Sequence, residues 1–518
     1  MGNWDADEAR RYHERTKHSF ESVRGSAHYL DWGNRPEPFK EHEGSEPLPL
    51  PDELPQPLGA VLDAIADGAG PTPAPLALPD LARLVRWGAG VVRTQRFAGG
   101  ETYDFRTYSS AGALYPIELY VACADLRGLP AGLYHFHPLE LALRPLRAGD
   151  ARGALSAATD EADLAEAAAV LVLSGMLWRS AWKYEARAYR HLYWDAGTML
   201  ANLLALAASA GLAPRLFTAF LDSEVNHVLG VDGEREAALA LLAVGRGERG
   251  GERGPLDPLD LPIVPLSRRE RSYPEASALH GASSLTTLEE IRRYRVAAGS
   301  RSDAAATASV AGEGEAQLDT SGTTTLSREA LETVIRRRGS ARDFTHDPIP
   351  ASELGALLSR AMAPIPGDLP ALNEVYLIAN ALEGLEAGAH RFISPGRFEL
   401  LRRGSFRARA GYLCLEQALG AHAAATLFFL ADLEQVLAAL GNRGYRAAQL
   451  EAGIRAGKLY LGAYAQGLGA TGLTFYDDEV AEFLTGETRM QPMMCVSLGV
   501  DARRRDLRRV RGRVGRPR

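Results

Sequence analysis

Cysteine is scarce: Cys123, Cys414 and Cys495 are far apart and match no CxxC or zinc-ligand spacing. This argues against a disulfide framework and a cysteine metal site and favours a reducing compartment. No uninterrupted apolar run approaches the roughly 18 residues that span a bilayer. The opening MGNWDADEARRYHERTKHSF carries charge where a signal peptide has its apolar core. A cytoplasmic protein with no membrane association is expected. Charge of one sign is also missing, since 58 Lys and Arg against 65 Asp and Glu give −7. General nucleic-acid binding is therefore not expected, and any anionic ligand must be met by local cations.

Core-forming material is plentiful. Apolar residues are 46% and charged residues 24% of a 518-residue chain, which is globular composition and too long for one core of roughly 150 residues. The length has a simple origin in a duplication. Glu118 to Phe136, ELYVACADLRGLPAGLYHF, aligns without gaps on Glu374 to Phe392, EVYLIANALEGLEAGAHRF, at an offset of 256. Tyr189, Arg190, Gly197, Gly211 and Leu212 recur as Tyr445, Arg446, Gly453, Gly467 and Leu468, and FLDSEV at 220–225 resembles FYDDEV at 475–480. Leu58 to Leu81 matches Leu331 to Leu354 at an offset of 273, so the first half carries an insertion that includes VVRTQRFAGGETYDFRTY.

The expected organisation is a lead-in at 1–52, a first domain at 53–262, a linker at 263–326, a second domain at 327–505 and a basic tail at 506–518. The small, polar composition of 296–326 suggests a flexible connection. ELYVAC alternates as a strand, AVLVLSG suits a buried strand, and LANLLALAASAG reads as a helix closed by Gly211. The fold class is α+β, with helices flanking a sheet in each of two tandem domains.

Three motifs carry chemistry. Arg338-Gly-Ser340-Ala-Arg342-Asp-Phe344 places two arginines around a hydroxyl at alternate positions, as an anion clamp or as a solvated basic helix end. Its aligned positions Ile65, Asp67 and Ala69 lack that chemistry. Arg106-Thr-Tyr-Ser109-Ser110-Ala111-Gly112 leads into a strand and allows close approach of a flat ligand, or forms an ordinary turn. The second half has Pro366-Gly-Asp368 there. Trp182-Lys183-Tyr184-Glu185 offers a lysine and tyrosine whose proton affinities can be tuned, or a snorkelling lysine at a helix start; its counterparts are Ala439 and Leu440. Arg503 to Arg505, after the last strand, are candidate extra anion ligands. Gly467 to Gly472 satisfies GxGxxG but follows a helix, and His135 and His137 lack a third ligand, so neither a dinucleotide fold nor a metal site is expected.

Jointly these residues resemble the nitroreductase superfamily, and within it the SagB/ThcOx/McbC-type dehydrogenases. The resemblance rests on RxSxRxF at 338–344, RTYSSAGALYPIELYV at 106–121, WKYEARAYRH at 182–191 and the opening YHERTKHSF. It implies a central mixed or antiparallel sheet flanked by helices, an FMN-binding homodimer mimicked here within one chain, and room for further oligomerisation. It assigns the FMN phosphate to Arg338, Ser340 and Arg342, to which Arg503 and Arg505 would add by their place after the last strand. The flavin and ribityl fall to Arg106, Ser109, Ser110, Ala111 and Gly112, and proton abstraction to Lys183 and Tyr184. Because each half keeps what the other has lost, one composite site is expected. The Ser-rich segment argues instead for FMN in the first half, clamped by the degenerate Arg24-Gly-Ser26-Ala-His28. The implied activity is oxidation of thiazoline or oxazoline rings in a ribosomal peptide to thiazoles or oxazoles, with dioxygen as final acceptor and a YcaO-type cyclodehydratase as partner. The alternatives are an NAD(P)H-dependent nitro or quinone reductase and a non-catalytic peptide-binding scaffold.

Overall fold

The computed structural model describes residues 2–503 except 57, 67–72, 98–99, 251–255, 260, 308–314 and 318–325. Two seven-stranded sheets dominate it. The first contains β1 (Leu48–Pro49), β2 (Ile117–Cys123), β3 (Gly132–His137), β4 (Ala142–Ala148), β5 (Ala167–Met176), β6 (Arg215–Phe217) and β7 (Glu236–Arg246). The second contains β8 (Glu315–Gln317), β9 (Glu374–Ala379), β10 (Gly388–Ser394), β11 (Arg397–Arg403), β12 (Ala425–Asp432), β13 (Gly469–Leu473) and β14 (Met490–Gly499). Their strand orders are β1-β4-β3-β2-β5-β7-β6 and β8-β11-β10-β9-β12-β14-β13. One order becomes the other on adding seven, so the duplication seen in the sequence is a duplication of topology. Every pairing in both sheets is antiparallel.

The central strands are buried on both faces, which explains their unbroken apolar runs. All ten residues of β5 and all eight of β12 are buried. Each is followed by a short helix, α1 (Leu177–Tyr184) or α3 (Leu433–Leu440), and then a long one, α2 (Ala188–Ser209) or α4 (Asn442–Ala465). α2 is buried from Ala188 to Ala207 and α4 along its whole length, as expected of helices enclosed by protein on every side.

The two long helices cross each other, and the crossing joins the halves. A Cβ on Gly197 would lie 2.5 Å from the Gly453 carbonyl carbon, and one on Gly453 would lie 2.7 Å from the Trp194 carbonyl oxygen. Only glycine permits that approach. Beside the crossing, charges are exchanged between halves. Asp477 receives Arg187 (2.9 Å) and Arg190 (2.7 Å), while Asp222 receives Arg443 (2.6 Å) and Arg446 (2.7 Å). All six side chains are buried. Burial alone would raise the two carboxyls, but the paired guanidiniums outweigh it and hold both below their ordinary value.

The connection between the halves differs from the flexible segment expected. The span expected as a linker contains helices Pro274–Ala282 and Leu288–Thr307. Ile291 and Tyr294 are wholly buried, and Arg295 reaches Glu161 (3.1 Å) and Asp368 (3.4 Å). The small residues of 296–307 form helix because Ile291, Tyr294 and Ala298 dock on the body. The lead-in is tied to the second half: Asn3 accepts from the Arg443 amide (2.6 Å) and donates to the Leu440 carbonyl (3.1 Å). The distant Cys414 and Cys495 have buried sulfurs 3.7 Å apart, a proximity invisible in their spacing.

Removing one partner of a buried, hydrogen-bonded ion cluster leaves uncompensated charge at a cost of about 3–5 kcal/mol. Asp222→Ala and Asp477→Ala should each lower unfolding stability by that order, with comparable losses in denaturant titration. A loss below about 1 kcal/mol in either would contradict equal roles for the two clusters.

Candidate functional site

The first-half component is the loop Thr107–Pro116, between the inserted hairpin Val91–Arg96/Thr102–Arg106 and β2. Its course is unusual. Gly112 has φ +63°, Ala113 +54° and Tyr115 +49°, so two residues with side chains occupy a conformation that favours glycine. Ser109, Ser110 and Ala111 are half-buried and Gly112 is exposed. Below the loop lies Asp195 on α2, which accepts from Ser110 Oγ (2.5 Å) and the Ala111 amide (3.0 Å).

Lys183 and Tyr184 end α1 instead of starting a helix, and both are half-buried. They converge on the loop: a Cβ on Gly112 would lie 2.8 Å from the Tyr184 hydroxyl and 3.3 Å from Lys183 Nζ. Gly112 thus suits its positive φ, and a side chain there would have to displace the Tyr184 hydroxyl. Burial lowers the Lys183 ammonium below its ordinary value, and the Arg342 guanidinium adds to the lowering. Burial, then the Asp195 carboxylate, raises the Tyr184 phenol. Tyr184 packs edge-on to His191 (4.2 Å between centroids), which stacks on Trp194 (4.7 Å).

The second half supplies the cations. Arg338 follows the helix Leu331–Arg337 and crosses to the first half, donating to the carbonyls of Thr107 (3.2 Å) and Arg106 (3.4 Å). Ser340 Oγ is 3.5 Å from the Tyr460 hydroxyl, and the Ala341 amide donates to the Ala470 carbonyl of β13 (2.9 Å). Among the described residues neither Arg338 nor Arg342 has an ion-pair partner. Two arginines and a hydroxyl without a carboxylate form a donor set suited to a phosphate.

The structure therefore brings together Ser109 to Gly112, Lys183, Tyr184, Arg338 and Arg342 at the junction of the halves. It places other candidates elsewhere. Arg106 is buried and spends its guanidinium on the carbonyls of Pro38 (2.8 Å) and Ile117 (3.2 Å), so it braces the loop from within. Arg24 of the degenerate clamp is exposed and paired with Glu416 (2.7 Å). Arg503 is exposed, with its amide donating to Asp501, and Arg505 lies outside the described residues. Asp195 stands in no motif, and its one signal in the sequence is the acidic residue Glu451 at the matching position of the repeat.

The pseudo-symmetric position is filled by protein. Pro366 and Asp368 pair with Leu216 of β6, and Asp368 accepts from the Thr218 amide (2.6 Å), the Thr218 hydroxyl (2.8 Å) and the Ala219 amide (3.1 Å). The segment corresponding to the Ser-rich loop is thus committed to internal bonding.

The profile of the Nitroreductase family matches residues 72–246 and 335–500, once in each half and over more than half of the chain. The chain belongs to the nitroreductase family. A crystal structure of a nitroreductase-family protein from Anabaena variabilis superposes with a TM-score of 0.74 at 25% identity, covering 95% of this chain and 99% of that one. The two-half nitroreductase architecture is therefore shared in full with that protein. In sequence, the chain is 29% identical over 173 residues to a protein of Methanocaldococcus jannaschii described as a nitroreductase, covering 33% of this chain and 82% of that protein. It is also 29% identical over 146 residues to the microcin B17-processing protein McbC of Escherichia coli, covering 27% of this chain and 54% of McbC. The McbC similarity and the tandem arrangement agree with the SagB/McbC-type affiliation expected from the motifs.

The environment of Asp195 makes stability depend on pH. Burial raises its carboxyl from the ordinary 3.8 to about 7, against the lowering effects of Ser110 and the Ala111 amide. A folded value above the unfolded one means that its stabilising contribution is full below about pH 4 and is lost as pH rises through 7. Between pH 4 and 8 the wild type should lose up to roughly 4 kcal/mol relative to Asp195→Asn in denaturant unfolding. An unchanged difference across that range would refute the raised value.

Proposed function

We propose that the chain is an FMN-dependent dehydrogenase that oxidises thiazoline or oxazoline rings of a ribosomally made peptide, with dioxygen as final acceptor. The observation that carries this reading is the convergence of Lys183 and Tyr184 on Gly112, with Arg338 and Arg342, neither facing a carboxylate among the described residues, reaching the same junction from the other half. The residues fit FMN. Arg338, Ser340 and Arg342 would hold its phosphate, and the exposed Gly112 in the Ser109–Gly112 segment would let a flat ring approach the backbone closely. FMN, when bound, supplies the two-electron acceptor for the ring's hydride.

The chain's own part is proton management. Lys183, half-buried and lowered, is the base for the ring Cα proton. Tyr184, held protonated by burial and by the Asp195 charge, donates a hydrogen bond and orients the substrate against Gly112. The peptide nature of the substrate is supported by the likeness to McbC, whose description is microcin processing. A YcaO-type cyclodehydratase is the partner class that would make such rings. The filled position at Pro366–Asp368 favours one flavin per chain over two.

Purified protein should bind one FMN per chain, and a ratio near two would overturn the single-site reading. Lys183→Ala and Tyr184→Phe should retain the yellow colour while losing about 10²-fold or more in azoline oxidation. Arg338→Ala with Arg342→Ala should lose the colour. The similarity to proteins described as nitroreductases favours a second reading, reduction of nitro or quinone compounds. Rapid bleaching of the flavin by NADPH, with nitro turnover insensitive to Lys183→Ala, would establish that reading in place of the first.

A further inference from the structure

Asp195 has no place in the motif set, yet it is the group on which the candidate loop hangs. It is 3% exposed, and among the described residues it has no cationic partner. Such a carboxylate is costly to bury unless its oxygens are hydrogen-bonded, and both bonds come from the loop. Oδ2 takes the Ser110 hydroxyl (2.5 Å), and Oδ1 takes the Ala111 amide (3.0 Å). Ser110 then relays the hold, because its Oγ accepts from the Tyr115 amide (2.9 Å) and its carbonyl from the Ala113 amide (3.1 Å). One turn along α2, the Thr198 hydroxyl donates to the Ser109 carbonyl (2.5 Å). The residues tied this way include the two with side chains at positive φ, Ala113 and Tyr115. A strained turn of this kind persists only when its surroundings over-determine it.

The duplicated half provides an internal control. At the 256 offset Asp195 corresponds to Glu451, which also accepts from the loop entering its sheet, from the Leu372 and Asn373 amides (both 2.9 Å). Glu451, however, is neutralised by Arg455 on its own helix. The residue corresponding to Arg455 in the first half is Met199. The carboxylate therefore lacks its cation only in the half whose loop meets Lys183 and Tyr184.

We propose that Asp195 is the positioning residue of the composite site, clamping the Ser110–Tyr115 turn so that Gly112 stays against Lys183 and Tyr184. This rests on the reading of that site as the reaction centre, but the clamp can be tested without cofactor or substrate. Hydrogen exchange is measured on the full chain free of FMN. In Asp195→Ala the amides of Ala111, Ala113 and Tyr115 should exchange on the order of ten- to a hundredfold faster, while β2 and β5 stay protected. Asp195→Asn keeps an oxygen for the Ala111 amide and should recover most of the protection. Ser110→Ala should release Tyr115 but leave Ala111 held. Unchanged exchange in Asp195→Ala would overturn the proposal. So would uniform loosening of α2, β2 and the turn together, since that marks a merely structural residue. FMN titration supplies the second readout. The Ala variant should bind on the order of tenfold more weakly, with the Asn variant intermediate; affinity equal to wild type in both would count against the clamp. A wild type that binds no FMN would defeat the proposed function while leaving the exchange result to decide the clamp.

Discussion

The close crossing of α2 and α4 is the constraint on which the rest of the molecule depends. Gly197 and Gly453 let two backbones meet where any side chain would force them apart. Beside that approach Arg187 and Arg190 reach Asp477, and Arg443 and Arg446 reach Asp222. Arg338 likewise crosses between the halves to the carbonyls of Arg106 and Thr107. Helix contact, charge exchange and site assembly share one geometry.

Within that near-symmetric frame the two junctions have diverged. At one, the loop before β2 is open, small and hydroxyl-bearing, and faces arginines without carboxylates. At the other, Asp368 turns inward to cap Thr218 and Ala219, and Pro366 pairs with Leu216. Under the proposed reading, each half supplies what the other lacks. The scaffold is conserved between halves where burial demands it, in the central strands and the glycine crossing.

The fold was largely legible in the sequence because a repeat is a signal independent of propensity. The offset of 256 located both copies of the central strands and the glycines of the crossing. The docked helices at 274–307 were not legible, because Ile291, Tyr294 and Ala298 are too few apolar residues to stand out beside a small, polar stretch, and their burial comes from tertiary contact. At the site, the arginine clamp and the Lys-Tyr pair carried recognisable chemistry. Arg106 read as a ligand because a guanidinium beside a Ser-rich turn looks available, whereas it is enclosed by Phe39, Tyr115 and two carbonyls. Asp195 belongs to no motif; its trace in the sequence is the repeat itself, where Glu451 stands at the matching position and Met199 replaces Arg455.

The exchange of arginines between halves has a consequence for how the chain behaves on dilution. In a dimer of separate subunits, every arginine pair and every shared cleft is lost when the partners drift apart, and each substitution appears twice. Here the partner is carried on the same chain, so its effective concentration is set by the connecting segment and not by how much protein is present. The mouth that faces Lys183 can then acquire a residue that its mirror image never sees. One gene thus encodes a molecule with distinct left and right sides.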